Sequence, residues 1–269
     1  MHLPRLRGVG EESVSPQATL VLAPNAGPMT LDGTNSYVLR SPGSPGVVVV
    51  DPGPSDAAHL GRLTSYGPVE LVLLTHHHAD HVEAFAEFAR QTGAPARAMD
   101  PVHCIDAAPL VDGEVIQVAG LELEVMATPG HTSDSVCFVL PDDGDHGSVL
   151  TGDTVLGRGT SIIADPDGAL GPYLVSLARL QAFAGAAGGV VTVLPGHGPV
   201  LRDLGSICED YVIHRAERLA QIRSALERLG ADASVEAVTD VVYAETDASV
   251  RGAAEASVRA QLRYLRGAA

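Results

Sequence analysis

Apolar residues in this chain fall into short runs punctuated by Gly, Pro and Asp. The first runs, Thr19 to Ala23, Asn35 to Arg40 and Val47 to Val50, read as strands separated by Gly/Pro turns. Consecutive valines leave no polar face, so Val47 to Val50 is predicted to be covered on both sides. It runs into Asp51-Pro52-Gly53-Pro54, which ends it with turn chemistry. The period then changes: Ala57, Leu60, Leu63 and Thr64 lie near helical spacing and predict a helix over Ser55 to Tyr66, followed by a strand from Val69 to Leu74. Val82, Phe85, Ala86, Phe88 and Ala89 lie on or beside one helical face, predicting a helix that packs on the sheet.

Strand-like runs return at Val115 to Ala119, Leu121 to Ala127 with clean alternation, Val136 to Leu140, Ser148 to Leu150 and Val190 to Leu194. Asp142-Asp143-Gly144-Asp145 reads as a solvated turn and lacks the further ligands of a calcium-binding EF-hand loop. Helices are predicted from Gly171 to Ala184 and from Ser206 to Leu229, the latter stopped by Gly230. Two more follow, Ser234 to Ala244 and Ser249 to Arg266.

With 269 residues, 45% of them hydrophobic, the chain can bury one large core plus a small appendage. Residues 1 to 205 are read as the main domain and 206 to 269 as a helical tail. The net charge of -16 changes the range of partners. Every one of the 17 basic residues is Arg; residues 1 to 200 hold 8 Arg against 22 acids, and the rest hold 9 against 11. So acidic a body repels polyanions, which disfavours a large nucleic-acid footprint and suits a small substrate. Arg259, Arg263 and Arg266 form a basic stripe on the last helix, either a solvated face or a surface for backbone phosphates. Three widely spaced cysteines, Cys104, Cys137 and Cys208, suggest a reducing compartment, with Cys137 in the core. Met1 to Gly10 lacks the apolar stretch of a signal peptide and no segment is long and apolar enough to span a bilayer, so a soluble cytoplasmic protein is expected.

The chemistry concentrates in Thr75-His76-His77-His78-Ala79-Asp80-His81, directly after an apolar run and before a helix-like segment. Three imidazoles with an interleaved carboxylate point to a first-row transition metal rather than calcium or magnesium. One tetrahedral zinc cannot use His76, His78, Asp80 and His81 and keep an open position, so either one of them stands behind the ligands or there are two metals. His77 points away if the turn is extended. Pro129-Gly130-His131-Thr132, Thr151-Gly152-Asp153-Thr154 and Pro195-Gly196-His197-Gly198 each follow a strand-like run, which puts His131, Asp153 and His197 at strand ends beside the first cluster. Thr132 or Asp134 is placed to bond the outer nitrogen of His131 or simply to cap its turn. The other histidines, including His59, lack companion spacing and read as surface or loop residues.

An Asp after a strand, a His-x-His-x-Asp-His turn, then Gly-His, Gly-Asp and Gly-His in this order resemble the metallo-β-lactamase fold hydrolases over roughly residues 17 to 205. The resemblance implies an α/β fold, a four-layer αββα sandwich. It also implies that His76, His78 and His131 hold one metal, Asp80, His81 and His197 a second, and Asp153 bridges them. An Asp bridge resembles the glyoxalase II and nuclease branches more than the best-known β-lactamases, which carry Cys there. The three terminal helices resemble a winged-helix-like appendage of a β-lactamase-like endoribonuclease subfamily, without room for a wing hairpin. Asp51 is implied to orient a ligand, its other reading being a turn residue, and Asn35 and Tyr37 to border the site. Read from the residues alone, the Gly-rich loop after Asp153 is either a substrate wall, with Arg158 or Tyr173 meeting an anionic or carbonyl oxygen, or a surface loop with a solvated Arg.

The expected protein is a hydrolase with two zinc ions, iron or manganese being alternatives. A metal-bridging hydroxide would act on a small ester, thioester or amide, with Asp80 orienting the water or taking its proton. An endoribonuclease acting on single-stranded RNA, and a sulfur dioxygenase with one iron on His76, His131 and Asp153, are the alternatives. Oligomeric state stays open.

Overall fold

A computed structural model describes residues 11–163, 165–245 and 250–267. The reading of Met1 to Gly10 lies outside the described residues. Two six-stranded mixed sheets face each other. The first holds β1 (Glu11–Ser13), β2 (Ala18–Leu22), β3 (Asn35–Leu39), β4 (Val47–Val50), β5 (Val69–Leu73) and β6 (Ala96–Arg97) in that order, with β4, β5 and β6 parallel. The second holds β7 (Val115–Val118), β8 (Leu121–Ala127), β9 (Val136–Leu140), β10 (Ser148–Gly152), β11 (Thr192–Pro195) and β12 (Leu201–Arg202), with β10 and β11 parallel.

The valine run shows why the strands look continuous in sequence. Val48 and Val50 face the second sheet, packing with Leu71, Leu73, Leu123, Val125 and Phe138, while Val47 and Val49 face the helices with Leu60, Leu63, Phe85 and Phe88. On the other side Cys137, Val139, Val149 and Val193 pack against Tyr173, Leu177, Leu180 and Cys208. This is a four-layer α/β/β/α arrangement, with the central strands buried on both faces. Helices α1 (Ala57–Thr64), α2 (Ala79–Val82) and α3 (Phe85–Thr92) cover the first sheet; α4 (Leu170–Ala186) and α5 (Leu204–Leu229) cover the second.

The second half of α5 leaves the sheet and packs with α6 (Val235–Val242) and α7 (Arg251–Leu265) around Ile222, Ala225, Val238, Val258 and Leu262. The described residues after Arg202 form these helices and no strand. Among the described residues no helix is long and apolar enough to cross a membrane. The cysteines are free, and Cys137 is buried as expected.

Four local expectations need correction. The segment expected as one helix from Val82 is broken, because Ala84 N–H donates to Gly53 O (3.0 Å) rather than to the preceding turn, and Ala86 is exposed. Asp143 is buried at 3% exposure, accepting from Gln17 N and Ser148 Oγ, so the acidic turn ties β2 to β10. His59 is fully buried: Ser36 Oγ lies 2.9 Å from one ring nitrogen and Arg62 donates to the other at 3.1 Å. Of the two readings of the α7 stripe, the phosphate surface needs correction: the arginines face solvent, but Arg259 and Arg263 both pair with the Asp165 carboxylate (3.0 and 2.8 Å) and Arg266 bonds Ala231 O.

Candidate metal centre and its cleft

Turns following five strands converge. β4 leads to Asp51, β5 to Thr75, His76, His77 and His78, β8 to His131, β10 to Asp153 and β11 to His197; α2 then presents Asp80 and His81. The side chains fall into two groups, His76, His78, His131 and Asp153 in one and Asp80, His81 and His197 in the other, with one ligand-type atom per residue lying within 4.8 Å of the others in its group.

In the first group His78 Nδ1 lies 3.1 Å from His76 Nε2 and 3.0 Å from His131 Nε2. In the second, His197 Nε2 lies 3.2 Å from His81 Nε2 and 3.0 Å from Asp80 Oδ2. Asp153 stands between them, 3.7 Å from His131 Nε2, 3.5 Å from His197 Nε2 and 3.6 Å from His81 Nε2. Gly196 permits this approach: a Cβ there would lie 2.5 Å from Asp153 Oδ1 and 2.9 Å from His81 Cε1.

The outer nitrogens show which ring nitrogens face inward. His131 Nδ1 faces Ile162 O at 2.5 Å, His197 Nδ1 faces Gly33 O at 3.1 Å and His81 Nδ1 faces Asp51 Oδ2 at 2.8 Å, so each outer nitrogen carries the proton. Thr75 Oγ1 donates to Asp51 Oδ2 (2.6 Å) and therefore accepts from His76 Nδ1 (3.0 Å). The Nε2 atoms of His76, His81, His131 and His197 are thus the ones left facing inward, each with a lone pair for a metal or, beside the carboxylates, a proton that a metal displaces. Two such nitrogens at about 3 Å repel unless a proton or a metal ion lies between them, and Asp153 Oδ1 is a buried acceptor with no hydrogen-bond partner. The donor set, imidazole nitrogen with carboxylate oxygen, fits a transition metal.

Electrostatics agree. Burial would raise the Asp153 carboxyl, yet His197, His81 and His76 hold it well below the usual carboxylate range. Burial would lower His197, yet the Asp153 and Asp80 carboxylates bring it up to about 11. Burial and its histidine neighbours push His76 well below its ordinary value, and burial with His131 brings His78 to about 4. The volume between the carboxylates attracts positive charge, and protons and metal ions compete for it, so metal binding releases protons.

The structure places the remaining predicted site residues as follows. Asp51, at φ +50°, accepts from Thr75 N–H (2.8 Å), Thr75 Oγ1 and His81 Nδ1, so it orients His81 directly and His76 through Thr75. Asn35 Nδ2 donates to Pro195 O and Gly198 O, and Tyr37 Oη donates to Pro195 O; both are buried and hold the His197 turn rather than border the cleft. Thr132 donates to Asp134, not to His131, whose outer nitrogen is taken by Ile162 O. Tyr173 is fully buried with Oη donating to Thr154 O at 2.7 Å, so it does not meet substrate; Gly130 packs on its backbone, where a Cβ would come within 2.3 Å. Arg158 does line the cleft, more than half exposed and 3.4 Å from Asp32. His77 turns outward to Asp134 (2.7 Å), near Asp167.

What the sequence reading missed are partners without a side-chain signature: the Ile162 and Gly33 carbonyls that set ring tautomers. Thr75, between Asp51 and His76, had a signal in its place one residue before the first His. Also missed was the apolar wall of the cleft, about 690 Å³ in volume, where Met29, Leu31, Leu156, Ile162, Ala253 and Ala256 surround His78, Asp80, His131 and Asp153.

Comparison with known proteins places the chain beside a large group. The family model described as "Metallo-beta-lactamase superfamily" matches residues 29–197. The atrochrysone carboxyl ACP thioesterase AgnL7 of Paecilomyces divaricatus is 33% identical over 263 residues, covering 93% of this chain and 79% of its own. The beta-lactamase-like protein 2 homolog of Caenorhabditis elegans is 30% identical over 271 residues, covering 94% and 85%. Among solved structures, the metallo-beta-lactamase family protein TTHA1429 of Thermus thermophilus superposes with a TM-score of 0.75 at 24% identity, covering 94% of each chain.

Proposed function

The chain belongs to the metallo-beta-lactamase superfamily, whose members are metal-dependent hydrolases, and from that membership we propose a dinuclear hydrolase of small thioesters or esters. His76, His78 and His131 would hold one ion, Asp80, His81 and His197 the other, and Asp153 would reach both. The observation that carries this reading is the pair of inward-facing imidazole and carboxylate clusters with an unpartnered Asp153 oxygen between them. Bound ions of this kind supply hydroxide from water at neutral pH and polarise an acceptor oxygen.

The chain's own residues divide the remaining work. Asp80, with 27% of its side chain exposed, is the carboxylate at the cleft floor able to orient water or take a proton, while His197 and Thr34 hold it from behind. Arg158 at the rim offers a cation to an anionic or carbonyl oxygen. The apolar wall excludes water from an acyl chain and favours a substrate with a hydrocarbon body next to its scissile bond. A thioester suits that wall, and one relative, 33% identical over 263 residues, is named a thioesterase. RNA cleavage has less support: the net charge is -16, and Arg259 and Arg263 are already paired.

Metal analysis of the purified protein, with a hydrolysis panel of thioester, lactone, β-lactam and short RNA, tests the reading. Two zinc ions per chain and thioester turnover that vanishes on chelation and in Asp153→Ala are expected. One iron per chain, or RNA as the sole substrate, refutes it.

A further inference from the structure

Behind the Thr160–Ile162 segment lies a second cleft of about 220 Å³, between the sheet-covering part of the molecule and the C-terminal helices. His214, Arg215 and Arg218 of α5 line it together with Ser161, Tyr243 and Ser257, and its described lining contains no Asp or Glu. Arg215 is 3% exposed. One guanidinium nitrogen donates to Ser161 O and the group lies 5.1 Å from the Tyr173 ring centroid, but its Nε is buried with no hydrogen-bond partner. His214 Nδ1, on the neighbouring residue, is likewise buried and unpartnered. Arg218 donates to Gln221 and stacks 4.8 Å from the Tyr243 centroid.

Neither arginine pairs with a carboxylate among the described residues, although the chain carries 33 acids against 17 arginines. A guanidinium stays charged at any physiological pH, and burying such a charge without a counter-ion is costly. Two arginines and an imidazole that line one cleft, with two of their nitrogens buried without a partner and no acid in the described lining, are the arrangement that a tetrahedral oxyanion satisfies.

We propose that His214, Arg215 and Arg218 form a binding site for a phosphate group. The site touches the metal cleft: Thr160, Ile162, Val250 and Ala253 line both. Ser161 O accepts from Arg215 and the next carbonyl, Ile162 O, accepts from His131, so a single peptide unit separates the anion site from a proposed ligand of the metal centre. A substrate lying across this segment puts its phosphate on Arg215 and Arg218 and its reacting carbonyl near Asp153. The substrate clause rests on the hydrolase reading above; the phosphate site does not.

The test titrates zinc-loaded wild-type protein with inorganic phosphate and follows thermal unfolding, beside Arg218→Gln and Asp153→Asn. Phosphate at about 100 times its Kd is expected to raise the Tm of the wild type and of Asp153→Asn by roughly 5 °C, and to leave Arg218→Gln unmoved. Circular dichroism without phosphate confirms that Arg218→Gln is folded. Arg215→Lys keeps the charge but loses Nε, and is expected to weaken phosphate about tenfold. Absence of a shift in the wild type, or a shift retained in Arg218→Gln and lost in Asp153→Asn, overturns the proposal, the latter by placing phosphate on the metal centre.

The phosphate's origin is read from kinetics. If it belongs to the substrate, Arg218→Gln raises KM about tenfold for a coenzyme A thioester and leaves it unchanged for the same acyl group on N-acetylcysteamine. If a free phosphate-bearing ligand fills the site, both KM values stay put while the Tm shift is still lost. Should no thioester be hydrolysed at all, the titration alone still decides the site.

Discussion

Replacing Asp51 by Asn removes one charge and almost no volume, yet it should disturb two metal-facing rings at once. The wild-type carboxylate only accepts: Thr75 N–H at 2.8 Å, Thr75 Oγ1 at 2.6 Å and His81 Nδ1 at 2.8 Å. An Asn keeps one oxygen for Thr75 N–H and turns its NH₂ toward the other two. Thr75 Oγ1 must then accept from Asn and donate to His76 Nδ1, which forces the His76 proton onto Nε2. His81 Nδ1, facing a donor, must become an acceptor, which likewise moves its proton inward. Both rings lose the lone pair that faces the site. Asn tolerates the left-handed backbone at φ +50° as well as Asp does, so the turn itself stays.

Loss of one such outer partner typically weakens metal binding 10- to 100-fold, and two reversed rings put Asp51→Asn at the upper end, about 100-fold. Folding should fall by only about 1–3 kcal/mol, the cost of mismatched buried donors. A chelating dye competed against zinc measures the affinity, and chemical denaturation measures the stability. Activity lost at limiting zinc should return in part at excess zinc. A folded Asp51→Asn that binds zinc like the wild type would refute the tautomer argument and leave Asp51 a turn residue.

Gly196→Ala would drive a Cβ to 2.5 Å from Asp153 Oδ1, so kcat/KM should fall at least about 100-fold while circular dichroism stays native; unchanged kinetics would mean that the site tolerates displacement. His59 is lowered to about 4 by burial and by the Arg62 charge. The unfolded chain therefore takes up a proton below pH 6.5 that the folded chain refuses until about pH 4, and stability drops as pH falls through that window. The contribution is on the order of 3 kcal/mol, and His59→Gln should flatten the slope by that much in denaturant titrations at successive pH values; equal slopes would sink the assignment. Asp165→Ala should strip Arg259 and Arg263 of their partner, cost about 1–3 kcal/mol and speed proteolysis of α7; an unchanged digestion pattern would show that apolar packing alone holds that helix.

Much of this was legible from residue order alone, because burial on two faces writes itself into a strand as an unbroken apolar run. Val47–Val50, Leu121–Ala127 and Val136–Leu140 have the boundaries that their hydrophobicity suggested. Turns after such strands had to carry the polar side chains, and the spacing His-x-His-x-Asp-His is local enough to read directly. Residue order could not decide what each polar group faces, since that depends on segments far apart in the chain. Asp51 and His81 are thirty residues apart, yet they bond; Tyr173 looked like a substrate contact and is a core post beneath Arg215. His59 had no companion in sequence and found Ser36 and Arg62 against the first sheet. Hydrophobic periodicity acts within an element and survives in a string of letters, whereas hydrogen-bond partners, ring tautomers and the pairing of arginines belong to contacts that exist only once the two sheets close on each other.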